Sequence, residues 1–293
     1  LREEGLRMVT TLESAPARAD ETLVNDTGLV RVRRCRDGLL AYITHDSYIG
    51  RSLDLYGEFS RGEAKLFEQL VRPGMTVLDV GANIGAHTVR LAQLVGPRGR
   101  VIAYEPQRVI FQLMCANVGM NGLFNVHPRL AAAGSLPGRL TVPPVNYAVA
   151  GNYGGLSLGG YQEGEEVPIE TLDSLNLPAC HFMKIDVEGM EAETIKGAVA
   201  TLRRHRPLLY MENDRKEKSA ALIELMFAQD YRLYWHLTPY YAADNYLKNA
   251  DNVFKGIISI NMLAVPRESA LKIVGLPEIT AASDSWTVHL AKS

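Results

Sequence analysis

The chain of 293 residues is 47% hydrophobic and 22% charged, an ordinary globular composition with room for one large domain and appendages. A net charge of −2 excludes a sequence-wide basic field of the kind that holds nucleic acid, and no apolar run approaches the ~20 residues of a membrane span. Cys35, Cys115 and Cys180 are scattered without a CxxC pair, and the opening LREEGLRMVT has no signal-peptide core; together these lead us to expect a reducing cytoplasm and neither disulfides nor a cysteine zinc site.

Residues 1 to about 22 are polar and aperiodic. LVRVRRCRDGLLAYITH then alternates apolar and polar around Asp37-Gly38, which predicts a β-hairpin. SRGE predicts a helix start, with Ser60 as N-cap and Glu63 closing a capping box. Leu66, Phe67, Leu70 and Val71 give that helix its apolar face, and Pro73-Gly74 stops it. Met75 to Val80 reads as a buried strand, Ile84 to about Val95 as a helix, Val101 to Tyr104 as a strand, residues 108–120 as a helix and NVHPRL as a third strand. This β-α-β-α-β order implies a parallel sheet covered by helices on both faces. The stretch 131–165, rich in Gly, Pro and Ala, reads as loops and short strands. Alternation then resumes with FMKID (strand), MEAETIKGAVATLRRH (helix), PLLYM (strand), KSAALIELMFAQD (helix), and the strands YRLYW and GIISINMLAV. The longer connection between the last two suits an antiparallel final hairpin. The expected division is a 1–52 extension with the hairpin, a doubly wound α/β domain at 53–265, and a 266–293 tail of weak signals.

VLDVGANIG places Gly81 to Gly85 at the carboxyl end of the first strand, where an open parallel sheet binds its ligands. Glu105 ends the second strand, 20 residues after Gly85, placed to accept hydrogen bonds from a ribose diol. A dinucleotide site wants G-x-G-x-x-G, and here Asn83 stands between Gly81 and Gly85 instead. Asp79 would repel a pyrophosphate but attract the sulfonium and ammonium of S-adenosylmethionine. A nicotinamide-dependent oxidoreductase is therefore the weaker enzymatic reading, and a non-catalytic binding protein on a methyltransferase fold is a third.

VLDVGANIGAHTVRLA, AYEP, TLDSL and FMKIDVEGMEAETIKGA together resemble the FkbM family of S-adenosylmethionine-dependent methyltransferases, over roughly residues 48–265. The resemblance implies a seven-stranded Rossmann-like sheet with an antiparallel last strand. It also implies methylation of hydroxyls on sugars, glycans or polyketides, with S-adenosylhomocysteine as product. Donor contacts are then expected from Asp79, Gly81, Asn83, Gly85, Thr88, Glu105, Pro106 and Asp186. YGEFS carries over Glu58 toward the donor and Tyr56 toward the acceptor.

KIDVEGME puts Asp186 at a strand end and Glu188 in the turn after it, where a base is needed to take the acceptor's proton. Glu191 is read as a first-turn acid favoured by the helix dipole. His236, after a strand in LYWHLTPYY, is the rival base. Glu212 and Asn213 end the fifth strand, Asn152 lies in the glycine-rich GNYGG, and the Tyr-rich TPYYAADNYLKNADNVF, with Asn245, is long enough to contact a sugar. Carboxylates are also hard-cation ligands by type, but no further ligand is identifiable, so no metal is expected. The expected partner is a small-molecule or glycan acceptor with a free hydroxyl, not nucleic acid or a membrane; self-association into a homo-oligomer stays open.

Overall fold

A computed structural model describes residues 22–24 and 28–290. The aperiodic stretch at the amino terminus lies outside the described residues, apart from β1 (Thr22–Val24). In chain order, β2 (Val30–Cys35) and β3 (Gly38–Ile43) lead to α1 (Ile49–Tyr56) and α2 (Arg61–Leu70). Then come β4 (Thr76–Val80), α3 (Ala86–Val95), β5 (Arg100–Tyr104), α4 (Arg108–Met120) and β6 (Val126–Arg129). The middle holds β7 (Ala132–Ala133), β8 (Gly138–Val142), β9 (Glu165–Glu170) and a 3-10 turn at Leu172–Leu175. The last third runs β10 (Phe182–Ile185), α5 (Glu191–Lys196), α6 (Val199–His205), β11 (Leu208–Glu212), α7 (Lys216–Ala228), β12 (Tyr231–Pro239), β13 (Ile258–Pro266), β14 (Glu278–Ile279) and α8 (Thr287–Leu290).

The main sheet has the order β14-β12-β13-β11-β10-β4-β5-β6. Strands β6, β5, β4, β10 and β11 are parallel, and β13 is antiparallel to both β11 and β12. This is the doubly wound α/β fold with its antiparallel late strand. Neighbouring residues of one strand serve opposite faces: Leu78 and Met183 join one buried cluster, Val77 and Phe182 the other. Both faces being covered explains why these strands read as nearly unbroken apolar runs.

Two helix details depart from the sequence reading. Ser60 sits in the left-handed region, at φ 42°, so it cannot act as the extended N-cap of α2. Its Oγ instead donates to Glu63 Oε1 at 2.7 Å, and Glu63 belongs to a buried network with His87, Ser259 and Asn261. The long helix expected at 190–205 breaks between α5 and α6. A Cβ on Gly197 would sit 2.0 Å from Gly134 O, so the break is where two backbones touch, and Asp173 caps the second helix through Ala200 N and Thr201 N.

The hairpin of β2 and β3 is present, with β1 beside it, and it is pinned to α4: Asn117 exchanges hydrogen bonds with Ala41 and Asn121 with Leu39. The tail is likewise built into the domain. β14 adds an eighth strand beside β12, Trp286 packs on Trp235 with ring centroids 5.8 Å apart, and Asp284 accepts from Trp235 Nε1. The expected boundaries at 52 and 265 therefore cut through packed structure.

Candidate active site

The site opens at the carboxyl ends of β4, β5, β10 and β11. Gly81 has φ +78°, and a Cβ there would lie 1.7 Å from the carbonyl oxygen of Asp186, so the turn needs glycine for both conformation and room. Asn83 follows at φ 52° and Gly85 at φ +80°, packed against Met114. These left-handed residues bend the chain so that Asn83 N donates to Glu105 Oε2 at 2.9 Å. Gln107 N donates to the other oxygen, Oε1, at 2.8 Å. Burial pushes the Glu105 carboxyl up to about 7, against the pull of these two N–H groups. Each oxygen keeps a lone pair for a further donor.

Behind the turn, Asp79 is wholly buried. Its Oδ2 accepts from Thr88 Oγ1 at 2.6 Å, and its Oδ1 lies 3.4 Å from Lys184 Nζ. Lys184 is also buried; Nζ donates to Gly81 O at 2.8 Å and stands 3.4 Å from Asp186 Oδ2. Burial pulls its pKa down, but Asp186 and Asp79 more than offset this and raise it. The lysine thus ties together three strand ends: the β4 acid, the β4 turn and the β10 acid.

Two adjoining cavities, about 460 and 650 Å³, share Gly81, Glu105, Gly154, Asp186 and Glu188. The smaller has apolar walls at Pro106, Ala131–Ala133, Leu156 and Leu158, with Gln107 beside them. The larger has aromatic walls at Tyr48, Phe59 and Tyr240, with Asn83, Asn152 and Glu212 among its polar groups. Tyr240 packs edge-on against Tyr48 and Phe59, at 5.7 and 5.6 Å between ring centroids.

Asp186, Glu188 and Glu212 bring carboxylate oxygens within 4.8 Å of one another. Glu188, held at φ 55°, accepts from Arg215 Nη2 at 2.6 Å. Burial, then the neighbouring Asp186 charge, pushes both Glu188 and Glu212 above the usual carboxylate range. Three carboxylates at this spacing can hold a hard cation or share protons, and Arg215 already supplies one positive charge.

Of the residues expected from sequence, Gly81, Asn83, Glu105, Pro106, Asp186, Glu188, Glu212 and Asn152 line the two cavities. Asp79, Thr88 and Gly85 stand one layer behind as supports. Five others are placed elsewhere. Glu58 pairs with Arg36, which also donates to Asp244 O. The Tyr56 hydroxyl donates to Asp251 O and accepts from Val253 N. Asn245 organises its own loop through Ala242 and Asn249. All three therefore anchor the 240–257 loop, and none of them lines either cavity. Asn213 is buried with its Nδ2 on Met262 Sδ. His236 Nδ1 meets Tyr210 Oη at 2.8 Å, and its ring lines a separate groove with Gly62, Leu66 and Leu271. It therefore lines neither of the two cavities.

Sequence reasoning missed Lys184, Gln107, Tyr48 and Phe59. A lysine inside the apolar run FMKI is itself a signal, because lysine is almost never fully buried unless paired. Tyr48 and Phe59 carry no comparable mark; they reach the cavity only because α1 and the loop after it fold over the sheet.

The family model described as the methyltransferase FkbM domain matches residues 79–233, over half of the chain. Ribosomal RNA large subunit methyltransferase E of Acidithiobacillus ferrooxidans is 42% identical over 65 residues, which is 20% of this chain and 29% of that protein. The chain thus spans under a third of the curated relative's length. Among solved structures, methyltransferase FkbM from Methylobacillus flagellatus KT aligns with TM-score 0.44 and 18% identity, over 75% of this chain and 55% of that one. A SAM-dependent O-methyltransferase from Thermotoga maritima aligns with TM-score 0.46 and 13% identity, over 82% and 79%.

Proposed function

The chain belongs to the FkbM methyltransferases, with S-adenosylmethionine as methyl donor, and from that premise we propose that it methylates a hydroxyl of a sugar-like or natural-product acceptor. The observation that carries this reading is the larger cavity, where the aromatic wall of Tyr48, Phe59 and Tyr240 faces Asp186, Glu188, Glu212 and Asn152. Aromatic faces cover the C–H surfaces of a polyol, and carboxylates and amides accept its hydroxyls. The same acids oppose phosphates, so an RNA acceptor such as the Acidithiobacillus relative's name specifies is disfavoured here.

The donor fits the smaller cavity by chemistry. Glu105 is a buried carboxylate with lone pairs still free for a ribose diol, beside apolar walls that suit a base. When bound, the donor supplies an electrophilic methyl group on a sulfonium. The chain supplies position and a proton acceptor. Asp186 borders both cavities, which supports its carboxylate as the group that takes the acceptor's proton as oxygen attacks. Lys184 Nζ stands 3.4 Å from that carboxylate, and the aromatic wall lines the cavity in front of it.

The test is transfer of isotopically labelled methyl from S-adenosylmethionine to a panel of polyols, glycans, amines and RNA, with the methylated atom located by mass spectrometry. Label on oxygen of a polyol is expected; label confined to RNA or to nitrogen overturns the reading. A thermal shift with S-adenosylhomocysteine but not with NAD separates it from the oxidoreductase alternative.

Two further results are expected. Glu105→Ala weakens S-adenosylhomocysteine by roughly tenfold or more in calorimetry, since a hydrogen bond to a charged group contributes ~1.5–3 kcal/mol. Ribose hydroxyls favour the ionised carboxylate, so wild-type affinity falls as pH drops through about 7. Glu105→Gln removes that slope; a slope that persists in the Gln variant assigns it to another group. Turnover is also expected to survive EDTA treatment and desalting, because Arg215 and shared protons already offset the carboxylate cluster. Activity that vanishes and returns with magnesium would recast Asp186, Glu188 and Glu212 as cation ligands.

A further inference from the structure

Gln107 has a feature that neither helix capping nor packing explains. It precedes α4 as N-cap yet makes no side-chain cap hydrogen bond. Its side chain is only 4% exposed. Nε2 donates to Tyr153 O at 2.8 Å, while Oε1 is buried with no hydrogen-bond partner among the described residues. The orientation of the amide follows from chemistry. A backbone carbonyl can only accept, so the NH₂ end must face Tyr153 and the carbonyl end must turn away. A buried acceptor without a partner is costly, which marks Oε1 as waiting for a donor.

The surroundings say which donor. Gln107 lines the 460 Å³ cavity beside Glu105, whose Oε1 accepts from the Gln107 backbone N–H. One short segment therefore presents a carboxylate suited to a ribose and an amide carbonyl suited to a base. Ala131, Ala132 and Ala133, Leu156 and Leu158 form apolar walls there and offer no side-chain acceptor. A purine with an amino group on its edge satisfies Oε1. A purine with an oxo group at the same place sets two acceptors against each other.

We infer that Gln107 Oε1 accepts a hydrogen bond from the 6-amino group of the donor's adenine and makes the site selective for adenine over 6-oxo purines. This rests on the reading that the smaller cavity takes the nucleoside of S-adenosylmethionine.

Calorimetry of S-adenosylhomocysteine and S-inosylhomocysteine, on wild type and on Gln107→Leu, tests it. Wild type is expected to bind the inosine analogue at least about tenfold more weakly, because a site built around one hydrogen-bond pairing leaves buried groups unpaired with the wrong partner. In Gln107→Leu the two ligands converge to within roughly threefold. The ratio is internal to each protein, so partial unfolding of a variant lowers both affinities without changing it. If Gln107→Leu does not fold, Gln107→Asn, whose amide sits one carbon short, must lose the preference instead. Equal binding of the two ligands by wild type, or full preference in the variant, overturns the assignment. Failure of wild type to bind either ligand refutes the donor site itself.

Discussion

Lys184→Met is expected to destabilise the folded protein by about 3–5 kcal/mol, the cost typical of leaving one member of a buried ion pair behind. Methionine matches the length and stem of lysine, so packing along β10 is nearly preserved and the change is one of charge. Asp79 is wholly buried, and among the described residues its side-chain partners are Lys184 and the Thr88 hydroxyl. Without Nζ the Asp79 carboxylate is left buried without its cationic partner, which costs free energy. The carbonyl of Gly81 loses its donor at the same time. Urea unfolding followed by circular dichroism measures the effect as a shift of the midpoint. The double variant Asp79→Asn/Lys184→Met should recover a large share, since it removes both charges. An unchanged midpoint in Lys184→Met would mean that the pair is not coupled in the way its burial demands.

Asp186→Asn is expected to lower turnover roughly a hundredfold to ten-thousandfold, the range for loss of a general base, while leaving S-adenosylhomocysteine binding within a few fold. Asparagine keeps the shape but cannot take a proton. Asp79 still faces Lys184 in this variant, so the fold is not left with an unpaired lysine. His236→Ala is the matched control. Its ring bonds Tyr210 and faces the groove beside α2, so the substitution should alter stability modestly and turnover little. Burial lowers the His236 pKa. Steady-state rates across pH on both variants decide the matter. Near-normal turnover in Asp186→Asn would sink Asp186 as base and turn attention to Glu212 and Glu188.

The placement of the proposed donor half of the site was legible in the sequence because that placement is local. Asp79, Gly81, Asn83, Gly85 and Glu105 owe their placement to one strand end, one tight turn and the next strand end, so spacing alone carries them. The proposed acceptor half depends on how distant segments fold over the sheet, and there the sequence brought together residues that line the larger cavity and residues that do not. Tyr56 and Asn245 are polar residues in the correct neighbourhood, but each spends its hydrogen bonds on backbone of the 240–257 loop. Glu63 looked like half of a capping box because its spacing from Ser60 is that of one. In the structure, burial pushes its carboxyl up, and hydrogen bonds from His87, Ser259 and Ser60 outweigh this and bring it to about 2. The eighth strand was invisible because two residues of β14 carry no period, and its hold on the sheet comes from Trp286 and Asp284 much further along.

The aromatic wall over the larger cavity joins Tyr48 and Phe59, which flank α1, to Tyr240, nearly two hundred residues later. The late loop is fastened to that early helix by Leu247 N on Tyr56 O, Asn249 Nδ2 on Leu55 O and the Tyr56 hydroxyl on Asp251 O. A ribosome therefore delivers the turn at Gly81–Gly85 long before the larger cavity can close, and the nascent chain gains the two proposed binding halves at different times. The same arrangement makes the wall a separable cassette. Exchanging residues around α1 together with the 240–257 loop between relatives would transplant acceptor preference without disturbing the nucleoside pocket, whereas exchanging either piece alone would leave the fastening bonds mismatched.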